Sequence, residues 1–164
     1  MLTTLIKTPL GRAFHDFLRT KFGRDYVDKP FVRFCGLSLL MEVHCRLFDV
    51  PKLPILMLYA KGRKSGQERS SVLPYHLVDG IYYLVGSRGG QEKNPQWVEN
   101  MRANPKGRIV VNRRKFLVTC RILADDEPLR QKIWEISSKV QPTNERYQSY
   151  TTRLFPILAL TPIE

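Results

Sequence analysis

The chain of 164 residues is long enough for one domain with its own core and too short for two comfortable ones; its apolar share of 43% and charged share of 26% are ordinary for a globular protein. Its longest apolar runs fall far short of the roughly 20 residues that a membrane span needs, and the start, MLTTLIKTPLGRAF, is expected to hold no signal peptide, having neither a long apolar core nor a small-residue cleavage site. The net charge of +12 is concentrated: residues 54–124 carry 13 basic against 4 acidic side chains, residues 1–53 carry 9 against 5, and residues 125–164 carry 5 against 6.

Residues 9–23 place Phe14, Phe17, Leu18 and Phe22 at helical spacing, with Arg12, Asp16, Arg19 and Lys21 between them. The spacing predicts an amphipathic helix ending at Gly23. Packing on a sheet is its first reading; a basic-apolar helix resting on a membrane surface is its second. After Pro30, a helix is expected from Phe31 to Phe48, apolar over much of its circumference and therefore buried or facing a partner. His44 in that run reads as structural, and no metal site is expected. Pro51 and Pro54 end the helical part, so residues 1–50 read as a helical extension and 51–164 as a second unit built on strands.

Strands are expected at Ile55–Ala60, at Arg69–Val78 with an edge or bulge at Pro74, and at Ile81–Gly86 after an Asp79-Gly80 hairpin turn. Asn94 is expected to cap a helix with Pro95 in its first position. Further strands follow at Arg108–Asn112 and Lys115–Leu123 around an Arg113-Arg114 turn. Asp125-Asp126-Glu127-Pro128 opens a helix to about Val140. A shorter helical segment, Thr143–Arg153, precedes the last strand, Leu154–Leu160. About six strands joined by short connections exclude parallel crossovers. The fold class is α+β, mainly β: a split antiparallel β-barrel with flanking helices.

Three cysteines (Cys35, Cys45, Cys120) match no metal or redox spacing. With no secretory signal read, they point to a reducing cytoplasm and to thiols that mostly pack. The positive charge gathers around two glycine-punctuated turns, Gly62-Arg63-Lys64-Ser65-Gly66 and Ser87-Arg88-Gly89-Gly90. Such turns let backbone N–H groups approach an anion while side-chain cations complete its neutralisation. A phosphate-bearing ligand is the expected occupant.

The GRKSG turn, the SRGG-x4-PxW-x2-N pattern over Ser87–Asn100, and the apolar strand before Thr161-Pro162 resemble the deazaflavin-dependent nitroreductase family. The resemblance covers about Leu53 to Pro162. It implies a split-barrel oxidoreductase using coenzyme F420, a deazaflavin with a phosphate and a glutamate tail. It also implies hydride transfer to an electron-poor acceptor such as a quinone, enone or nitro compound. By the same resemblance, Arg63, Lys64 and Ser65 would hold the phosphate and tail, and Arg69, Ser70 and Ser71 would lie along the cofactor. Val85, Gly86, Ser87, Arg88 and Gly89 match the segment beside the deazaflavin ring. Asn94, Trp97 and Asn100 match the helix start that closes over it. Ser87, Tyr147 and Tyr150 would be hydroxyl donors to the developing oxyanion. Gln141, Asn144 and Pro74 stand where the family often has aromatic residues.

Each residue also has a structural reading: a solvated hairpin tip for Arg63–Ser65, a strand edge for Arg69–Ser71, ordinary core for Trp97. Two other functions are compatible with the pattern. One is a flavin-nucleotide (FMN or FAD) reductase on the same barrel. The other is a basic nucleic-acid module, against which stands the lack of an aromatic-rich basic strand for stacking. The expected partner is a small-molecule electron acceptor rather than nucleic acid. Peripheral membrane contact through the first helices would suit a quinone dissolved in lipid.

Overall fold

The computed structural model describes residues 6–163. Helix α1 (Pro9–Arg19) starts on Thr8, whose hydroxyl accepts from the Gly11 N–H, with Pro9 in the first turn. It stops at Arg19 rather than Gly23, because the Thr20 hydroxyl donates to the Phe17 carbonyl and accepts from the Gly23 N–H. Gly23–Asp28 then forms a π-helical turn.

The single helix expected over 31–48 is two, α2 (Lys29–Cys35) and α3 (Leu39–Phe48). Gly36 takes a left-handed φ of 74° and ends α2. The Ser38 hydroxyl caps α3 by accepting from the Met41 N–H at 3.0 Å. The buried Asp28 carboxylate accepts from Ser38 Oγ (2.9 Å) and the Leu40 N–H (3.0 Å), so an anion sits at the positive end of α3. A Gly-x-Ser stop and restart lay inside a continuous apolar run, and the apolar run governed the sequence reading.

Among the described residues, seven strands form one antiparallel sheet in the order β2-β1-β5-β6-β7-β4-β3. They are β1 (Ile55–Lys61), β2 (Glu68–Pro74), β3 (His76–Val78), β4 (Ile81–Val85), β5 (Lys106–Val111), β6 (Arg114–Ile122) and β7 (Ile157–Ile163). The expected strand 69–78 is thus split at Tyr75, giving seven strands rather than six. β2 and β3 are the two outer edges of the sheet yet are separated by one residue. A sheet whose edges are joined so closely must curl on itself, and the curl makes the barrel. Pro74, which cannot donate to a ladder, stands where the chain leaves one edge for the other.

Alternation along β1 and β7 builds the layers. Leu56, Leu58 and Ala60 point into the barrel with Leu158 and Leu160, where helix α4 (Gln96–Ala103) adds Val98 and Met101. The intervening Met57 packs outward with Val32 of α2. Ile157 and Ala159 pack outward against Ile133 of α5 (Pro128–Val140). A one-residue slip in either strand would exchange core and exterior. The β3–β4 turn has Asp79 and Gly80 at φ 51° and 77°, as a type I′ hairpin requires. The β5–β6 turn falls on Asn112-Arg113, one residue before the expected position, and Val111 pairs with Arg114. The last strand begins at Ile157 rather than Leu154 and runs through Pro162, where only β6 pairs with it. Helix α6 (Thr143–Gln148) is shorter than expected.

Candidate active site

The β1–β2 loop is closed by backbone bonds from Gly62 N–H to the Gln67 carbonyl and from Gly66 N–H to the Gly62 carbonyl, both 2.8 Å. A Cβ at Gly62 would stand 3.0 Å from Ser65 Oγ, and Gly66 has φ +68°, so both glycines are required by the shape of the loop. This holds Arg63, Lys64 and Ser65 over the open end of the barrel beside α4. Arg63 is tied to that helix twice: its N–H donates to Asn100 Oδ1 at 3.2 Å and its guanidinium to Gln96 Oε1 at 2.9 Å. Arg69 donates to Ser65 Oγ and Gln67 Oε1, both at 3.3 Å.

A cavity of about 380 Å³ lies beneath this loop. Leu58, Ala60 and Trp97 form its apolar side; Arg63, Lys64, Ser65, Arg69 and Ser71 form the polar side, with Gln96 and Asn100 between. Three cations border it and, among the described residues, no carboxylate lines it. The two adjacent to lining residues in sequence, Glu68 and Glu99, are held by Arg108 at 3.1 Å and Arg102 at 3.2 Å. A field of one sign in a concave site concentrates anions.

A second cavity of about 580 Å³ shares Ser71, Gln96 and Trp97 with the first, so the two are compartments of one groove. Its floor is β2 from Ser70 to Leu73, and Arg88 and Pro95 stand at one side. The other wall comes from the N-terminal helices, including Arg24, Leu40 and Met41. The acidic groups on that wall are satisfied internally: Asp25 by Lys29 at 2.7 Å, Asp28 by the α3 cap. The Lys29 ammonium beside it holds the Asp25 carboxyl below its usual range.

Of the residues singled out in the sequence, Arg63, Lys64, Ser65, Arg69, Ser71, Trp97 and Asn100 meet in the first compartment. Ser70 and Arg88 join Ser71 and Trp97 in the second. Val85 is half-buried in β4 opposite Ile157, and Gly86 is buried between Pro156 and Val98; neither lines the groove. Ser87 and Gly89 lie in the adjoining turn. Tyr147 and Tyr150 line neither compartment; a Cβ at Gly90 would stand 2.5 Å from the Tyr147 carbonyl and 3.0 Å from Tyr150 Cβ. The tyrosines therefore back the Arg88–Gly90 turn. Asn94 does not cap α4. Pro95 occupies that position, and the Asn94 side chain donates to Glu99 Oε1 (2.9 Å) and accepts from Arg153 (3.1 Å).

Arg153 escaped sequence reasoning. Its guanidinium donates to the carbonyls of Gly86 (3.2 Å), Ser87 (2.7 Å) and Gln91 (2.7 Å) as well as to Asn94. It also lies 4.7 Å above the Phe155 ring. One side chain thus fixes the whole loop that carries Ser87 and Arg88. That loop holds three consecutive residues at positive φ: Arg88 (48°), Gly89 (62°) and Gly90 (78°). Only the arginine has a Cβ that disfavours the conformation. Gln96 was also missed, although its place one residue before Trp97 was a usable signal.

The Cys45 thiol is buried, Cys120 half-buried and Cys35 exposed; burial pushes the Cys120 thiol up to about 12. His44 pairs with His15, Nδ1 to Nε2 at 3.1 Å, between α3 and α1. No helix among the described residues is long and apolar enough to cross a membrane.

A family model described as F420H(2)-dependent quinone reductase matches residues 44–162. An F420H(2)-dependent quinone reductase of Mycobacterium tuberculosis H37Rv is 33% identical over 109 residues, 66% of this chain and 73% of the relative. Among solved structures, an F420-H2 dependent reductase (FDR-A) is 30% identical with a TM-score of 0.59, covering 65% of this chain and 93% of that one. A structure described as a domain-swapped dimer is 31% identical with a TM-score of 0.60, covering 68% and 84%. The matched span contains the barrel, both glycine turns and α4. The chain belongs to the F420H(2)-dependent quinone reductase family, deazaflavin-dependent oxidoreductases that use coenzyme F420.

Proposed function

We propose that this chain reduces a quinone, with coenzyme F420 lying along the groove. The observation that carries the reading is the first compartment, bordered by three cations, lined by no carboxylate among the described residues, and opening past Trp97 into a second that adds the apolar side chains Leu40, Met41, Val72 and Leu73. The donor set suits the cofactor. Arg63, Lys64, Ser65 and Arg69 would hold its phosphate and acidic tail, Lys64 having no side-chain partner among the described residues. Ser71 and Trp97 would border the ring system. When bound in its reduced form, the cofactor supplies the hydride. The quinone gains that hydride and one proton and leaves as hydroquinone.

The protein's part is to orient the acceptor and steady the charge that develops on its oxygen. Ser87 and Arg88 fit that role, with Tyr147 and Tyr150 bracing their turn; the Arg88 guanidinium is anchored on the Lys93 and Asn94 carbonyls at 3.4 and 3.2 Å. Enones and nitro compounds would accept the same hydride. A quinone is favoured by the acceptor named in the family description and by the apolar side chains of Leu40, Met41, Val72 and Leu73 in the second compartment.

Fluorescence titration with F420 beside FMN and FAD is the test. F420 is expected to bind selectively, and Lys64→Ala to weaken it about tenfold, the loss of one charge-assisted contact. Preference for a flavin nucleotide would overturn the cofactor assignment. Selective F420 binding without turnover of any quinone would overturn the acceptor.

A further inference from the structure

The second compartment is walled by a part of the chain that the family match does not reach. The match begins at residue 44, while Arg24, Leu40 and Met41 precede it. These residues are positioned by structure that serves the wall directly. Asp28 and Ser38 cap α3 and fix the first turn, which bears Leu40 and Met41, while a π-helical turn carries Arg24. The opposite side is Val72 and Leu73 of β2, and the junction with the first compartment is Trp97.

We infer that the N-terminal helices form one wall of the acceptor site, with Leu40 and Met41 setting which quinone ring system fits. The inference rests on the proposed function and deepens it. A neutral, planar, fused-ring quinone is the matching class. Leu40, Met41, Val72 and Leu73 offer apolar contacts, Trp97 offers an aromatic face, and Arg88 brings a cation to the edge for a quinone oxygen, while Asp25, Lys29 and Asp28 of the same lining are paired within the N-terminal helices. A cavity of about 580 Å³ is ample for a two-ring nucleus. A methionine at such a wall adapts its shape to the ring, and a bulkier side chain would occupy the space. Acceptor choice in this protein is then made by helices outside the barrel.

The test compares 2,3-dimethyl-1,4-naphthoquinone with duroquinone, both fully substituted on the quinone ring and so closed to addition by the exposed Cys35 thiol. Met41→Trp is expected to raise KM for the naphthoquinone roughly tenfold or more and that for the smaller duroquinone less. The dissociation constant for F420 should stay within twofold. Met41→Gln, near in size but polar, should raise both quinone KM values and guards against misfolding of the tryptophan variant. A readout without turnover is quenching of Trp97 emission by the naphthoquinone, with no F420 present, in a Trp134→Phe background. Quenching in the parent that weakens with Met41→Gln supports the wall. Unchanged KM ratios and unchanged quenching in folded Met41 variants would overturn it, even with F420-dependent quinone reduction intact. Absence of all quinone turnover, with quenching that still depends on Met41, would instead fail the proposed function and leave the binding wall standing.

Discussion

At the scale of single residues, the loop that carries Ser87 and Arg88 depends on Arg153. Four acceptors, three of them backbone carbonyls, converge on one planar guanidinium. A lysine keeps the charge but cannot reproduce the fork. Arg153→Lys is therefore expected to lower kcat for quinone about tenfold through misplacement of the turn, with F420 affinity within twofold of the parent. Steady-state kinetics beside F420 titration checks this; parallel loss of both quantities would mean that Arg153 holds the whole groove rather than one loop. The cations of the first turn were legible because two glycines bracket two basic residues within five positions. Arg153 was not legible, since its partners lie between 59 and 67 residues away and it reads as the end of a short helix. Asn94 misled for a related reason: a good capping residue was drawn off by Arg153 and Glu99.

At the scale of elements, strands with clean alternation and hairpin turns with Asp-Gly were readable within a residue or two. The breaks were less so: Gly36 and Ser38 were hidden in an apolar run, and Pro74 marked a departure to the opposite sheet edge that only the closed sheet reveals. The docking of α1 on α3 was not readable at all. His15 Nε2 lies 3.1 Å from His44 Nδ1, and both rings pack against Phe48. Burial lowers the His44 pKa first, then the charges of His15 and Arg19; Asp16, 3.5 Å from His15, faces the far side of the pair. A histidine whose folded pKa is depressed contributes stability above its unfolded value of about 6.5, and that stability is lost as pH falls through the folded value. The melting temperature should therefore fall below about pH 6.5. His44→Phe should flatten that fall without abolishing it, because burial lowers His76 as well. Thermal melts of the two proteins from pH 5 to 8 decide the matter, and identical slopes would remove the pair from the account.

At the scale of the whole molecule, charge and architecture coincide. The excess of 13 basic over 4 acidic residues in 54–124 falls on the span holding both glycine turns and the edge of the first compartment. Of those basic residues, Arg63, Lys64, Arg69 and Arg88 border the groove, and they act there as a field that several residues share. Among the described residues, Arg63 and Arg69 have only neutral hydrogen-bond partners, so bound counter-ions from solution are what an anionic ligand must displace. Raising ionic strength from about 0.1 to about 1 M shortens the screening length from about 10 to about 3 Å. F420 affinity should then drop by about an order of magnitude, and the drop should shrink in Lys64→Ala. The KM for a neutral quinone should not rise over the same range, because its contacts with Leu40, Met41, Val72, Leu73 and Trp97 carry no charge and its contact with Arg88 pairs a cation with an uncharged oxygen. Measuring both quantities across one salt series separates the two compartments by their physics. Cofactor affinity insensitive to salt would mean that the basic turn is a solvated hairpin tip, and that the ring system alone anchors the cofactor.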